Sequence, residues 1–534
     1  RQITNSTRPI NTPADLDGLK IRTPSSEWRV SMFKEWGSNP TPMSFSEVFV
    51  ALQTGTMDGQ ENPLTNIVGA NFQEVQKYLS LTGHVYSPTY LTSGAQTWEK
   101  LPDDVKVAVT EVAASVQDWA LEQGETADNE LVDEVRAANT YAKFPNVKKY
   151  RDFRKMYDND LKDIDAVMVA TPDHTHATIA LPFMKAKKHA YVEKPLTHNI
   201  YEARTMAQVA AEQGIVTQMG NQGASSDGIR TAQEWINAGV IGKVHRVDCW
   251  TNRPVWPQGF KHITEGAPIP DSLSWDLWLG PAAMRPYNPN YLPFKWRGFW
   301  DFGTGAMGDM GCHIMETPFK TLGLGFPYEA EASCTTIWSN DFVEADYSEA
   351  CPPSSIVRLM FDTEAHGKLS LNWYDGGIMP DLPPELGDGE SPGANGGGSI
   401  FHGSEGIMVT DTYSGNPRLL PKERMEAFVP PAQTLKRVTD SHQGEWVNAI
   451  LNGGTTSSPF SYGGPLTEAV LMGNLAIKAY QYKALKEGKK VGDWDPYTYP
   501  GRRTIQWDGQ NMKVTNWEEA NDWVKGTYRD GWEL

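Results

Sequence analysis

The chain has 534 residues, which is enough for about three or four domains with sizeable apolar cores. Its formal net charge of −18 disfavours a nucleic-acid groove or an anionic membrane surface as a partner. No apolar run of roughly eighteen residues occurs, so we expect no segment that spans a bilayer. The four cysteines are scattered and include no C-x-x-C pair, which indicates incidental thiols rather than a disulfide framework.

The sequence begins at Arg1, with neither an initiator methionine nor a signal peptide. We therefore expect that the native amino terminus is missing. The compartment, cytoplasmic or periplasmic, is not determined by such a sequence.

The first segment alternates short strand and helix patterns. Residues 19–23 (LKIRT) predict a strand, residues 26–36 predict a helix, and a second helix begins at residues 46–52. A longer amphipathic helix is predicted from Leu101, because apolar side chains recur there at spacings of three and four. Its apolar positions are Val105, Val109, Val112, Val116 and Trp119.

Three stretches of this segment, RQITNSTRPINTPADLDGLKIRTP, SFSEVFVALQTGTMDGQENPL and SGAQTWEKLPDDVK, occur in the order typical of one family. Residues 1–137 thereby resemble the later part of the solute-binding proteins of TRAP transporters. The resemblance implies a partial α/β periplasmic-binding-protein-like segment, whose first lobe lies outside this chain. It also implies a carboxylate ligand, since a guanidinium matches a carboxylate bidentately.

The resemblance assigns three ligand-binding residues. Arg22, in the LKIR strand, would clamp the carboxylate, and Arg1 falls one residue out of step with a second ligand arginine. Asn62, in DGQENP, would hydrogen-bond the ligand. Considered without the family, Arg22 is equally well explained as a surface arginine at a strand end.

An acid-lysine-proline triplet, residues 193–195, ends the apolar run of residues 190–192. The proline cannot continue a strand ladder or a helix, so Lys194 is predicted at the carboxyl end of a strand. In an open α/β sheet ligands bind at that edge, where a lysine can polarise a hydroxyl or a carbonyl group. A solvated lysine beside Glu193 is the simpler interpretation of the triplet by itself.

Two further apolar runs, residues 165–171 and 214–220, alternate with helical patterns around this triplet, as in a β-α-β-α-β succession. With TPDHTH (171–176), MGNQG (219–223) and GDMGCHIMETP (308–318), residues 139–534 resemble the Gfo/Idh/MocA family of oxidoreductases. The resemblance implies NAD or NADP as cofactor, a sugar or polyol substrate, and a catalytic role for Lys194. It also implies a second domain whose sheet often mediates homo-oligomers.

The family pattern assigns cofactor-binding residues at the predicted strand ends. These residues are Thr171, Pro172, His174, His176, Glu193, Lys194 and Asn221, of which Asn221 would lie near the nicotinamide. The two histidines are two residues apart, but no third ligand stands near them in the sequence. We therefore expect no metal site.

Asp309 and His313 are four residues apart and share one face if the segment is helical. A carboxylate beside an imidazole forms a general-base pair, although D-x-x-x-H alone is common. The family pattern places both residues in the active site with Lys194. Either His313 or Lys194 could then act as the base.

The usual dinucleotide fingerprint is missing, because no G-x-G-x-x-G opens a helix after a predicted strand. By resemblance, the first strand, the glycine-rich turn and the ribose-binding acid would precede a junction near residues 133–141, where they are absent. We hypothesise that two incomplete genes were joined there. The glycine-rich run of residues 387–399 is predicted to be a flexible surface loop.

The remaining sequence predicts strands between residues 329 and 410 and a helix over residues 465–487. The expected fold is α/β, with an incomplete Rossmann-like dinucleotide domain (138–250). An α+β domain with a large open antiparallel sheet (251–534) follows it, and the periplasmic-binding-protein-like segment (1–137) precedes it.

The expected function is NAD(P)-dependent hydride transfer on a sugar, polyol or glycoside. Some members of the family instead cleave glycosides through transient oxidation and elimination. The alternatives are a periplasmic binding protein for a carboxylate ligand, and a stable chimera that performs neither function.

Overall fold

The computed structural model describes residues 1–85, 98–106, 110, 144, 146–270, 272–491 and 493–534. The chain divides into two compact units, Arg1–Lys149 and Tyr150–Leu534. Most of the helix predicted from Leu101 and the whole predicted junction lie outside the described residues. Within the described ranges, no helix has both the length and the apolar character that crossing a membrane requires.

The first unit is built on a mixed five-stranded sheet. Its strands are β1 (Gln2–Asn5), β2 (Lys20–Thr23), β3 (Asn39–Pro42), β4 (Gly59–Asn62) and β5 (Tyr78–Ser80), in the sheet order β3-β2-β4-β1-β5. Strand β2 runs parallel to β3 and β4, whereas β1 runs antiparallel to β4 and β5. The strand predicted over residues 19–23 is therefore an inner strand of this sheet.

The described helices of the first unit are α1 (Glu27–Glu35), α2 (Phe45–Gln53) and α3 (Leu64–Gly69). Helix α2 buries Val48, Ala51 and Leu52, whose spacing of three and four residues puts them on one helix face. They pack with Ile67 and Phe72 in a small apolar core.

The second unit begins with a parallel three-stranded sheet of Rossmann-like type. Its strands are β6 (Ala166–Val169), β7 (His189–Val192) and β8 (Thr217–Met219), in that order in the sheet. The helices around them are α4 (Phe153–Asp160), α5 (His176–Lys185), α6 (Ile200–Gln213) and α7 (Asp227–Asn237). Because successive strands are parallel neighbours, their carboxyl ends meet at one edge.

A large open sheet of nine strands follows. Its strands are β9 (Val244–Thr251), β10 (Glu329–Cys334), β13 (Ser355–Thr363), β14 (Gly367–Tyr374), β15 (Gly397–Gly403), β16 (Gly406–Asp411), β17 (Arg418–Leu420), β20 (Ile505–Asp508) and β21 (Lys513–Val514). Two small hairpins are β11 (Trp338–Asn340) with β12 (Val343–Glu344), and β18 (Ala484–Leu485) with β19 (Tyr497–Thr498). The order of the large sheet is β17-β16-β15-β9-β14-β13-β10-β20-β21. The predicted antiparallel sheet is thus confirmed, except that β9 and β14 pair in parallel.

The helices of this second part are α8 (Trp275–Leu279), α9 (Gly305–Ile314), α10 (Glu316–Thr321), α11 (Lys422–Ala427), α12 (His442–Asn452) and α13 (Phe460–Gln481). Helix α13 is buried over most of its surface, and Gly473 lets Met307 of α9 approach closely. One continuous apolar core joins the parallel sheet, α13 and the large sheet. The dinucleotide-type part and the large sheet are therefore held as one unit.

The glycine-rich run of residues 387–399 is only partly the surface loop that the sequence predicts. Gly397, Gly398 and Ser399 are buried and begin β15, which pairs with β9 and β16. A Cβ atom on Gly397 would lie 2.5 Å from the carbonyl oxygen of Trp250, and one on Gly398 would lie 2.5 Å from that of Thr410. Glycine is present here because neighbouring main chains approach too closely for a side chain.

Candidate active site

Lys194 directly follows β7, at the edge where the three parallel strands end. Its Nζ donates to Oδ1 of Asp309 at 2.8 Å and to the main-chain oxygen of Asp309 at 2.7 Å. The two residues are 115 positions apart in the sequence. The fold therefore brings together the lysine of the triplet and the acid of helix α9.

Asp309 pairs with two cations. Besides Lys194, Nε of Arg297 lies 3.5 Å from Oδ1 of Asp309. Burial alone would raise the pKa of Asp309, but the charges of Lys194 and Arg297 outweigh it and hold the pKa below its ordinary value. Asp309 is thus a carboxylate that fixes the ammonium group of Lys194.

His313 lies one turn further along α9 and is buried. Its ring packs edge-on against Tyr413 at 5.2 Å, and its Nδ1 has no hydrogen-bond partner among the described residues. Burial, followed by the nearby charge of Lys194, lowers the pKa of His313 to about 3. The ring is therefore a neutral imidazole at physiological pH and can accept a proton.

The sequence predicts that Asp309 pairs with His313, whereas in the structure Asp309 pairs with Lys194 and Arg297. Both residues occupy the same helix, as their spacing predicts, but within the described structure no hydrogen bond joins their side chains. The carboxylate turns to Lys194 and Arg297 because two cations offer it stronger interactions than a buried neutral ring.

Lys194 and His313 border a polar cleft of about 640 Å³. Lys194, His313, Glu193 and Gly220 all line it, and Gly220 is packed so closely on Glu193 that a Cβ atom would lie 2.3 Å from its Oε2. Burial raises the pKa of Glu193. The remaining lining residues are Tyr191, Gln222, Ser225, Ser226, Asp440, His442 and Gln443.

His174 and His176 lie beside this edge without facing the cleft. The ring nitrogens of His174 approach the carbonyl oxygens of Phe302 and Trp278, at 3.2 and 3.0 Å. Those of His176 approach the carbonyl oxygens of Pro195 and Thr171, at 2.9 and 2.7 Å. Both rings therefore tie loops together, and in the described ranges no three His, Cys, Asp or Glu side chains are grouped to hold a metal.

The other predicted cofactor residues have distinct positions. Thr171 follows β6 directly, and its hydroxyl group accepts from Thr175. Pro172 precedes the short 3-10 helix Asp173–Thr175. The side chain of Asn221 is fully buried and donates to Glu316, although its neighbours Gly220 and Gln222 line the cleft.

One G-x-G-x-x-G spacing does occur in the chain, at residues 303–308, and it opens α9. No strand leads into it, since the 3-10 helix Lys295–Gly298 precedes it. Its glycines are buried, and a Cβ atom on Gly303 would lie 2.5 Å from the main chain of Arg297. The motif therefore serves close packing rather than phosphate binding.

A nicotinamide dinucleotide would need a polar cleft for its nicotinamide half and free main-chain N–H groups for its pyrophosphate. Glu193, Lys194 and Gly220 fit the first requirement. The loop after β6 has no glycine and contains Asp173, whose buried carboxylate accepts from Thr304. In the part of the chain that the structure describes, no strand end provides a glycine-rich turn for the pyrophosphate.

Sequence reasoning missed several residues of the site. Arg297 contacts Asp309 from a segment rich in tryptophan, where no motif marks it. Ser225, His442 and Gln443 reach the cleft from the 3-10 helix after β8 and from α12. No periodicity or spacing in the sequence connects these segments with the lysine triplet.

The charge state of His313 gives a prediction that does not depend on catalysis. We expect its ring C–H signals in NMR spectra to stay constant between about pH 5 and 8, because burial keeps the folded-state pKa at about 3. In urea the same ring should titrate near its ordinary pKa of about 6.5. A folded-state midpoint near 6.5 would show that the ring is solvated.

The same pKa difference affects stability. Between about pH 6.5 and 3 the unfolded chain binds a proton at His313 that the folded chain does not, so this residue lowers the free energy of unfolding as the pH falls. His313→Gln should make the acid side of the stability curve less steep.

The first unit has a separate cationic cluster. Nη1 of Arg1 contacts the buried carboxylate of Glu61 at 3.2 Å and Oδ1 of Asn62 at 3.3 Å, and Arg29 contacts Glu61 at 2.9 Å. The predicted Arg1 and Asn62 therefore meet. The predicted Arg22 donates from Nε and Nη2 to the carbonyl oxygen of Met43, at 3.0 and 2.6 Å.

The electrostatics of this cluster are dominated by its arginines. Burial would raise the pKa of Glu61, but His84, Arg1 and Arg29 outweigh burial and lower it. Burial lowers the pKa of Arg22, with smaller effects from the charges of Glu61, Arg1 and Arg29. Two guanidinium groups, those of Arg1 and Arg29, thus contact the carboxylate of Glu61, and its charge also acts on Arg22.

Comparison with known families covers both units. Residues 1–166 match the family described as bacterial extracellular solute-binding protein, family 7. Residues 117–221 match the oxidoreductase family, NAD-binding Rossmann fold, and residues 231–323 match its C-terminal alpha/beta domain. The first two matches overlap over residues 117–166, which include the predicted junction.

Individual relatives match part of the chain. A solute-binding protein of Roseobacter denitrificans is 52% identical over 114 residues, which are 21% of this chain and 35% of that protein. The sialic acid-binding periplasmic protein SiaP of Vibrio cholerae is 38% identical over 149 residues, 28% of this chain and 46% of that protein. The chain thus spans less than half the length of these curated relatives.

Solved structures that are similar to part of the chain include a dehydrogenase. The WlbA dehydrogenase from Bordetella pertussis, in complex with NADH and UDP-GlcNAcA, aligns over 66% of this chain and 85% of its own, at 13% identity and a TM-score of 0.41. From the family matches, the chain carries a segment of a TRAP-type extracellular solute-binding protein followed by the NAD-binding and C-terminal domains of a Gfo/Idh/MocA oxidoreductase.

Proposed function

We propose that the second unit is an NAD(P)-dependent oxidoreductase that acts on a hydroxyl-bearing carbon of a sugar, polyol or glycoside. One observation supports this most directly. The ammonium group of Lys194 is fixed by Asp309 at the edge of a parallel sheet and borders the same cleft as the neutral His313.

Each side chain of the site has a separate role in alcohol oxidation. Glu193, Lys194 and Gly220 line the cleft that would hold a nicotinamide, and that group would supply the hydride acceptor. His313 lines the cleft with a neutral ring and would take the hydroxyl proton. Lys194 stabilises the negative charge that develops on the substrate oxygen. Asp309, which also pairs with Arg297, positions Nζ of Lys194.

The cleft lining favours a polyhydroxylated substrate. Gln222, Ser225, Ser226, Asp440 and Gln443 offer donors and acceptors without a large apolar surface. Hydroxyl groups on adjacent carbons could each find a partner there. This lining supports a sugar or polyol over an apolar alcohol.

The test is a titration of the full chain with NADH, following energy transfer from its 19 tryptophans to the reduced nicotinamide. We expect saturable binding in the micromolar range, followed by turnover in a screen of sugars and polyols. Arg22→Ala, in the other unit, is the matched control and should leave NADH binding unchanged. No saturable signal with the wild-type chain would contradict the proposal.

A second candidate function belongs to the first unit. We propose that its arginine cluster binds the carboxylate of an organic acid, because Arg1 and Arg29 contact Glu61 and the charges of these residues act on Arg22. SiaP, a 38% identical relative over this segment, binds sialic acid, which carries a carboxylate. Arg22 would exchange its bond to Met43 for a bidentate contact with the ligand.

We expect Arg22→Ala to weaken binding of such an acid by roughly ten- to a hundredfold, since hydrogen bonds to a charged group contribute about 1.5–3 kcal/mol. Calorimetric titration of the chain with sialic acid and with gluconate measures this. Lys77→Ala, an exposed change in the same unit, should leave the affinity unchanged. Equal affinities in wild type and Arg22→Ala would exclude Arg22 from the site.

A further inference from the structure

Glu316 is a buried carboxyl group that the proposed chemistry does not use. It is the first residue of α10, three positions after His313, and its side chain has no exposure to solvent. A carboxyl group so placed needs partners on every side. Its neighbours come from three separate elements.

Both oxygens of Glu316 are engaged. The hydroxyl group of Tyr462, on α13, donates to Oε1 at 2.9 Å, and Nδ2 of Asn221, after β8, donates to Oε2. Lys320, one turn along α10, lies 3.9 Å from Oε1 and donates to the carbonyl oxygen of Ser457. Glu316 therefore ties the end of β8 to α10 and α13.

Asn221 connects Glu316 with the wall of the cleft. Gly220 and Gln222, its two neighbours, line the cleft, while the side chain of Asn221 points into the protein. Within the described structure, Oδ1 of Asn221 is buried and has no hydrogen-bond partner. The wall of the cleft at residues 220–222 is thus held through the side-chain amide of Asn221. Its Nδ2 has a hydrogen-bond partner, and its Oδ1 has none among the described residues.

The protonation state of a carboxyl group decides which amide atom it can hold. A charged carboxylate only accepts, so it selects Nδ2 of Asn221. A protonated one donates from the oxygen that carries the proton. Tyr462 keeps its own proton, because burial and Glu316 raise its pKa well above the ordinary value, and it continues to donate to Oε1.

The proton on Glu316 is therefore placed on Oε2, facing Asn221. The favoured amide orientation is then the reverse one, in which Oδ1 accepts from Glu316 and Nδ2 takes the position of the unpaired oxygen. No other bond in the group has to change. We propose that Glu316 is a positioning residue of the cleft wall, and that its protonation state selects the orientation of the Asn221 amide.

Burial and the neighbouring groups bring the protonation of Glu316 into a pH range that an experiment can reach. Burial raises the pKa of Glu316 to about 7, against the opposing effects of Lys320, Tyr462 and Asn221. Cys312 of α9 also faces Glu316 and Tyr462. The charges of Arg230 and Glu445 act on the pKa of Lys320, and the charge of Lys320 acts on the pKa of Glu316.

The amide itself provides the test, with no ligand present. In the deuterated chain labelled with ¹⁵N-asparagine, the side-chain signals of Asn221 are assigned by their loss in Asn221→Ser. We expect them to shift between about pH 5.5 and 8.5, with a midpoint near 7. In Glu316→Gln the signals should not shift, because Tyr462 holds the Gln oxygen and the Gln amide donates to Oδ1 of Asn221 at every pH.

Tyr462→Phe supplies the second variant. Loss of a donor to the carboxylate disfavours its charged form, so the midpoint should move to higher pH. Signals of Asn221 that stay constant in the wild type would overturn the proposal. The same midpoint in Glu316→Gln would also overturn it, because the titration would then belong to another group.

Only the effect on cofactor binding rests on the proposed function. If NADH binds, its affinity should vary with pH in the wild type and stay constant in Glu316→Gln. A failure to bind NADH overturns the oxidoreductase proposal and leaves the amide result to stand by itself. Constant NADH affinity in a chain whose Asn221 signals titrate would separate the amide from the cleft and overturn the positioning role.

Discussion

Replacing Lys194 with alanine is expected to lower the turnover number at least a hundredfold, since a positioned acid or base contributes about 10²–10⁴ to the rate. The variant removes the donor that would stabilise the substrate oxygen and leaves Asp309 with Arg297 as its remaining cation. Steady-state oxidation of the sugar or polyol found in the screen measures the effect. The affinity for NADH should change far less than the turnover number.

Lys185→Ala is the matched control for this variant. Lys185 is exposed at the end of α5, away from the cleft, so its loss should leave turnover unchanged. Equal turnover of Lys194→Ala and the wild type would remove Lys194 from the mechanism. Asp309→Asn should lower turnover as well, because Lys194 then loses the carboxylate that fixes it.

The largest expected loss of stability follows from Arg204→Ala. Arg204, on α6, donates from Nε to Oε2 of Glu468 at 2.5 Å and from Nη2 to Oε1 at 2.9 Å. The side chain of Glu468 on α13 is fully buried, and Trp507 donates to it at 3.1 Å. Removing one partner of a buried ion pair costs about 3–5 kcal/mol, because the other charge stays buried. Urea unfolding, followed through the transition of the second unit, measures this loss.

The pH dependence of the stability loss in Arg204→Ala shows whether the buried charge of Glu468 causes it. Burial raises the pKa of Glu468 even beside Arg204, so a protonated Glu468 tolerates the loss of its partner better. The defect of Arg204→Ala should therefore be larger at pH 8 than at pH 5. Lys422→Ala removes an exposed ion pair with Glu426 and should cost less than about 1 kcal/mol. A similar cost for both variants would mean that Glu468 is not desolvated as the structure indicates.

Local sequence signals predicted many of the elements that build the site. The apolar run before residues 193–195 predicted β7. The spacing of Asp309 and His313 predicted that they share one face if the segment is helical, and the segment forms α9. Capping residues set the start of α6, where Asn199 accepts from the main chain of Glu202 and the side chain of Glu202 accepts in return. Such signals act within a few residues, which is why the sequence alone contains them.

Other parts of the fold follow from contacts that sequence periodicity does not encode. The strand pattern predicted an antiparallel sheet, yet β9 enters it parallel to β14. Gly397 and Gly398 belong to a buried strand because Trp250 and Thr410 approach them from neighbouring strands. The glycine composition alone favoured a surface loop.

The sequence by itself determined the two families joined in this chain, the helix that carries Asp309 and His313, and the placement of Lys194 at a strand end. Only the tertiary structure decided that Asp309 pairs with Lys194 and Arg297, that His313 is neutral, and that Glu316 holds Asn221. Charge state and hydrogen-bond partner depend on burial, and burial is created by residues far apart in the sequence that meet only when the chain folds.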